Sequence, residues 1–243
     1  MEMKTGAQIA AADLTDWRKL GQGLHARYLV GDFTAGARFV EAVGEAGSAL
    51  GHHPQATLGN QYVDLKLISQ DAIYTDDSGT EHVVEWVTDK DLDLAGRITE
   101  IAAEHKATAD PAGITAIELG LDTAHAVTIA PVWAALLTGS TDAVGRGSIG
   151  TDVRDATGRV PIVWFQETDE HDTPRQRWHL DIWVAPEYAE QRIAAAVAAG
   201  GIVVDDSEAP SFVVIADQDG NKACVCTDSG RWGADRGSEP GDD

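Results

Sequence analysis

Two adjacent imidazoles, His52 and His53, stand between Gly51 and Pro54 at the end of a segment with helical spacing. Unperturbed imidazole titrates near pH ~6.5, so such a pair can pass protons to and from a ligand at neutral pH. Gly51 can cap the preceding helix and Pro54 cannot continue it, which puts the pair on a fixed corner. That arrangement suggests acid–base chemistry; two solvated loop histidines are the alternative. The two cysteines, Cys224 and Cys226, have Cys-x-Cys spacing. On a strand they point to the same face about 6.6 Å apart along the chain, whereas a disulfide needs Cβ atoms about 3.8 Å apart. No disulfide framework follows, which suits a reducing cytoplasm.

The elements that must position the corner are legible as periodicities. Ala7 to Ala12 reads as a short helix, and Leu24 to Val30 alternates as a strand. Phe33, Ala37, Phe39, Val40, Val43, Ala46 and Leu50 recur at helical spacing up to Gly51. Tyr62 to Ile68 is a strand with Val63, Leu65 and Leu67 on one face. The turn Asp76-Asp77-Ser78-Gly79 joins residues 72–74 and 83–86 into a predicted hairpin. Thr88-Asp89 opens a helix with Leu92, Leu94, Ala95, Ile98 and Ile101 apolar. Residues 107–113 read as a linker between a first domain, 1–106, and a second, 114–232.

In the second half, strands are expected over 114–121, 148–153, 159–167, 178–184, 202–204, 212–215 and 222–226. Helices are expected over 130–137 and 186–199, with turns at 155–158 and 217–221. The order strand, helix, several strands occurs twice, as in a duplicated βαβββ unit. Residues 233–243 form an acidic tail, almost without apolar side chains and expected to be disordered.

The chain has 243 residues, 18 Lys and Arg against 40 Asp and Glu, and a formal net charge of −22. That balance argues against a nucleic-acid partner or an anionic membrane surface. Met1 to Asp13 lacks the apolar core of a signal peptide, and no run approaches the ~20 apolar residues of a membrane span. A cytoplasmic protein is expected.

Residues 17–105 resemble pterin-4a-carbinolamine dehydratase. The matching residues are Trp17, Leu24 to Tyr28, Asp32-Phe33 with Phe39, His52-His53-Pro54, Val63-x-Leu65-x-Leu67 and Thr88-x-x-Asp91-x-x-Leu94-Ala95. The resemblance implies loss of water from a 4a-hydroxytetrahydropterin, with a proton given to the departing hydroxyl and one taken from N5. Carried over, His52 is the general acid or base, and His53 is a pterin ligand that we group with the catalytic residues. Pro54 and Asp91 border the substrate. Asp91 at a helix start has a second reading, as a cap favoured by the macrodipole. The sequence departs from the family in two places. The third family histidine is replaced by Gln70, which hydrogen-bonds but does not titrate, and an acidic site four residues before the pair is Ser48. An insertion, the 72–86 hairpin, carries His82, expected to be an exposed hairpin histidine rather than a member of the site.

Residues 114–232 resemble a glyoxalase-like domain of the vicinal oxygen chelate superfamily. The carrying residues are Trp178-His179-Leu180-Asp181, Asp217-x-Asp219-Gly220-Asn221 and the strand ending at Cys226, with the duplicated order as the stronger argument. Metal-binding members place His, Gln or Glu on the first and last strands of each module. The resemblance makes His179, Cys224 and Glu118 candidates to line a second-domain cavity, with Gln166 or Glu167 also available. Such a set is suited to a divalent ion; a hydrogen-bonded His179 and a small buried Cys224 are the alternative. No metal ligands and no cofactor are assigned. Trp133, Trp164, Phe165, Trp178 and Trp183 line an apolar cavity or serve the core.

The expected fold is α+β: a small carbinolamine-dehydratase-like α/β sandwich followed by a duplicated βαβββ glyoxalase-like domain. The leading function is dehydration or binding of a pterin carbinolamine. The alternatives are a second-domain small-molecule site or metal-dependent enzyme with a non-catalytic first domain, and an interaction protein without catalysis. The expected partners are a pterin-like ligand and, by the resemblance, further copies of the chain in a homodimer or higher homo-oligomer.

Overall fold

Strand alternation and helix capping build the first half. The computed structural model describes residues 1–138, 140–158, 160–169, 178–198, 201–216 and 222–229. After α1 (Gly6–Ala11) come β1 (Arg18–Leu20), β2 (Gly23–Leu29), α2 (Phe33–Leu50), β3 (Gln55–Leu58) and β4 (Tyr62–Leu67). They are followed by β5 (Ser69–Thr75), β6 (Glu81–Trp86), α3 (Asp89–Glu104) and β7 (Thr108–Ala109). Strands β1-β2-β4-β3 form an antiparallel sheet, and β7 joins it by pairing with β2 within the expected linker. The period of two sends Leu24, Ala26, Tyr28, Val63, Leu65 and Leu67 to the buried face. There they meet Phe39 and Val43 of α2 and Leu94, Ile98 and Ile101 of α3. Tyr28 and Phe39 meet edge to face at 5.2 Å between centroids. The opposite face carries His25, Arg27, Asp64 and Lys66.

Helix α2 starts where the Asp32 side chain accepts a hydrogen bond from the Ala35 N–H at 2.7 Å. It stops at Gly51, whose φ of 63° is left-handed. The expected hairpin is β5–β6, and it forms a ribbon of its own.

The second half contains β8 (Ala116–Thr123), α4 (Ala126–Thr138), β9 (Ile162–Glu167), β10 (Trp178–Trp183), α5 (Pro186–Ala198), β11 (Ile202–Asp205), β12 (Phe212–Ala216) and β13 (Lys222–Cys226). They make one sheet in the order β11-β12-β13-β10-β8-β9, with β10 parallel to β13 and antiparallel to β8. The second module is a full βαβββ unit. In the first, the strand expected over 148–153 is absent, and only Val153 makes bridges, to Val144 and Val163. The reason is local. Gly145 and Gly147 have φ of 68° and 61°, and the Ser148 hydroxyl donates to Asp152 at 2.9 Å and accepts from the Gly150 N–H at 3.1 Å. These side-chain bonds offer the backbone turns instead of a ladder. Residues 217–221 and the tail 233–243 lie outside the described residues. Among the described residues, no helix is long and apolar enough to cross a membrane.

The two halves share contacts. Leu20, at the end of β1, is buried with Ile114, Trp183 and Cys226 of the second half. The Gln22 amide donates to Glu118 at 2.7 Å, Arg18 pairs with Glu187, and the Glu85 N–H donates to the Gly147 carbonyl at 2.9 Å.

Candidate active site

Asp91 organises the corner. It sits in the first turn of α3, fully buried. One carboxylate oxygen accepts from the Thr88 N–H at 2.8 Å and from the Ser69 hydroxyl at 2.7 Å. The other lies 2.7 Å from His52 Nε2. A carboxylate only accepts hydrogen bonds, so His52 donates from Nε2 and its lone pair is on Nδ1. The side chain of His52 is 12 % exposed; its Nε2 edge is anchored and the residue lines a cavity. Asp91 therefore satisfies the helix start and also holds an imidazole 39 residues away.

The cavity has a volume of about 350 Å³ and is walled by His52, His53, Gln70, Lys66, Asp71 and Lys90, among others. His53 is exposed, and its ring lies over Gly47 of α2. A Cβ at Gly47 would stand 2.6 Å from His53 Nδ1 and 2.7 Å from the His52 carbonyl oxygen. The helix thus needs glycine where the corner folds back on it. Gly47→Ala is expected to cost about 1–3 kcal/mol in chemical denaturation, because the clashing backbone must move. Gln70, expected from the resemblance to replace the third histidine, is exposed on β5 and lines the same cavity. Asp71 pairs with Lys90 at 3.0 Å, and the ammonium holds its carboxyl below the usual range.

Other expected residues fall elsewhere. Pro54 and Asp91 are not among the cavity's walls; Asp91 stands behind His52. His82 pairs with Asp76 at 2.8 Å and stacks on Tyr74 within the hairpin, away from the corner. Ser69 and Thr88 complete the Asp91 cradle; the sequence marks Thr88 as a helix start within the matched motif, and it marks neither residue as a partner of Asp91. The Thr88-x-x-Asp91 spacing, which matches a capping box, was the available signal.

In the second half, His179, Asp181 and Cys224 bring an imidazole nitrogen, a carboxylate oxygen and a sulfur within 4.8 Å of one another. Asp181 and Cys224 are register partners on parallel β10 and β13. Hydrogen bonds to Asp181 and then Cys224 push the His179 imidazole up to about 10, against burial. Trp164 meets His179 edge-on at 5.0 Å. Glu118 is not in this cluster: it accepts from Gln22 and, at 3.1 Å, from Trp183 Nε1. Gln166 and Glu167 are exposed at the end of β9. Trp133, Phe165 and Trp178 pack against Ala134, Ala143, Val153 and Val163, so these aromatics serve a core. Asp181 was not expected as a member of the cluster.

Comparison with known proteins follows the same division. Residues 3–101 match the family model for pterin 4 alpha carbinolamine dehydratase, and residues 118–226 match that for a glyoxalase-like domain. A protein of Koribacter versatilis named "Putative pterin-4-alpha-carbinolamine dehydratase" is 35% identical over 94 residues, 39% of this chain and 87% of its own length. One of Nocardia farcinica with the same name is 30% identical over 103 residues, 42% of this chain and 96% of its own. The solved transcriptional coactivator/pterin dehydratase from Brucella melitensis aligns with 42% of this chain and 99% of its own, at 21% identity and a TM-score of 0.34.

Proposed function

Because this chain belongs, through its first half, to the pterin 4 alpha carbinolamine dehydratase family, we propose that the His52–His53 corner dehydrates a 4a-hydroxytetrahydropterin. The C4a–O bond breaks, the hydroxyl leaves as water with an added proton, and the N5 proton is lost, giving the quinonoid dihydropterin. The observation that carries this reading is the His52–Asp91 bond at 2.7 Å. It fixes the imidazole with Nδ1 as the atom that takes and returns a proton, a role that typically contributes ~10²–10⁴-fold. His53 contacts the ring. Gln70 supplies a hydrogen bond in place of a titrating group. Asp91 is a positioning residue.

The test is the appearance of quinonoid dihydropterin from a 4a-hydroxytetrahydropterin generated in situ. Acceleration over buffer supports the reading, and a rate equal to buffer alone overturns it.

A second reading concerns the glyoxalase-like domain, and the His179–Asp181–Cys224 cluster favours it. One nitrogen, one oxygen and one sulfur donor suit a divalent ion of borderline softness such as zinc, which acts as a Lewis acid when bound. Titration with Co²⁺ is expected to give one equivalent per chain with a thiolate-to-metal absorption band. Cys224→Ser should lose that band. A protein that stays colourless through the titration refutes the metal reading.

A further inference from the structure

A second cavity, of about 400 Å³, lies between the two halves. The open face of the first sheet supplies His25 and Lys66 to its wall, β5 supplies Gln70, and the second half supplies Glu118, Arg154 and Asp155. It adjoins the His52–His53 cavity, because Gln55, Lys66, Ile68 and Gln70 border both.

The charges in this wall are unevenly satisfied. Glu118 already accepts from Gln22 and Trp183. Glu85 faces Arg154 at 3.7 Å, and Asp155 accepts from the Thr157 N–H and hydroxyl. The donors are less well placed. Arg154 is 7 % exposed; one of its terminal nitrogens bonds Asp152 at 3.2 Å, while Nε and Nη1 are buried without a hydrogen bond, Nη1 being the atom that faces Glu85. The Lys66 ammonium makes no hydrogen bond and no ion pair among the described residues; burial lowers its pKa, and Glu85 and Glu118 oppose that only through space. Beside it His25 is kept neutral: burial, then Lys66 and Lys19, push it down to about 3. An ammonium left in such a wall without an acceptor is costly, and an anion would repair it.

We propose that the cavity between the halves is an anion subsite of the pterin site, taking a carboxylate or phosphate borne on the C6 substituent, with Lys66 as its counter-ion. The inference rests on the pterin reading of the His52–His53 corner. C6 is bonded to N5, so a ring held with C4a and N5 at the histidines directs its substituent to a neighbouring compartment. The glyoxalase-like half would thereby set which pterin is accepted.

Binding to the full-length protein tests this with 7,8-dihydropterins that share the ring and differ at C6. The probes are 6-methyl-7,8-dihydropterin, carboxylate-ended 7,8-dihydrofolate and phosphate-ended dihydroneopterin monophosphate. The wild type is expected to bind at least one anionic probe tenfold or more tightly than the methyl probe, and the better of the two identifies the anion. In Lys66→Met that ratio should collapse toward one, and in Lys66→Arg it should return, because the charge is restored on a similar stem. Equal affinities in the wild type, or a ratio that survives Lys66→Met, overturn the inference while leaving the pterin reading intact. Absence of binding by all three probes overturns both.

Discussion

His52→Ala is expected to lower kcat for dehydration of the pterin carbinolamine by about 10²–10⁴-fold, the usual contribution of a positioned acid–base group. The side chain lines a cavity and hydrogen-bonds Asp91. Removing it takes away the proton-transfer atom and leaves the Asp91 carboxylate with its Thr88 and Ser69 donors. Near-UV circular dichroism should be unchanged. A kcat within threefold of the wild type would assign the proton transfers to another group.

Asp91 is the second decisive position, and two substitutions there separate its roles. Asp91→Ala leaves the Thr88 N–H, the Ser69 hydroxyl and the His52 N–H without their acceptor in a fully buried site. The expected destabilisation is about 3–5 kcal/mol, read by urea denaturation. Asp91→Asn is subtler. Its amide oxygen can still accept from Thr88 and Ser69, but its NH₂ then faces His52 Nε2. The ring must accept there and carry its proton on Nδ1, the wrong tautomer for a base at that atom. A loss of about 10²–10⁴ in kcat is expected with KM within a few-fold, because the pterin contacts remain. Combining Asp91→Asn with His52→Ala should add little to the loss from His52→Ala alone. If Asp91→Asn shifts the melting temperature but keeps kcat and the pH–rate profile, Asp91 is only a helix cap.

How much of this was readable in the sequence depended on which physical signal each part carries. β4 and α2 are bound to the core by their periodicities, and both the alternation of Val63, Leu65 and Leu67 and the cap at Gly51 appear as expected. β3 and β1 were missed. β3 lies at the sheet's edge with Gln55, Ala56 and Thr57 exposed, so backbone pairing to β4 defines it and no apolar pattern announces it. The 148–153 segment failed in the other direction, because Ser148, Gly150 and Asp152 close local bonds that a strand pattern ignores. At the site, the residue types at 52, 53 and 70 were legible. The bond from Asp91 to His52 was not, because it forms only when α3 is laid beside the end of α2. Ser69 has no sequence signature; a small hydroxyl becomes informative once it is known to face a buried carboxylate.

Leu20 gives the chain a property that neither half has alone. It belongs to a strand of the first sheet, yet its side chain is 1 % exposed because Ile114, Trp183 and Cys226 enclose it. Cutting the chain in the 107–113 segment would bare that side chain on one fragment and its apolar seat on the other. It would also strip Glu118 of Gln22 and Glu85 of Gly147. The two modules have therefore given up autonomy: they are expected to melt as one cooperative unit, and fragments expressed separately would meet solvent with sticky, incomplete surfaces.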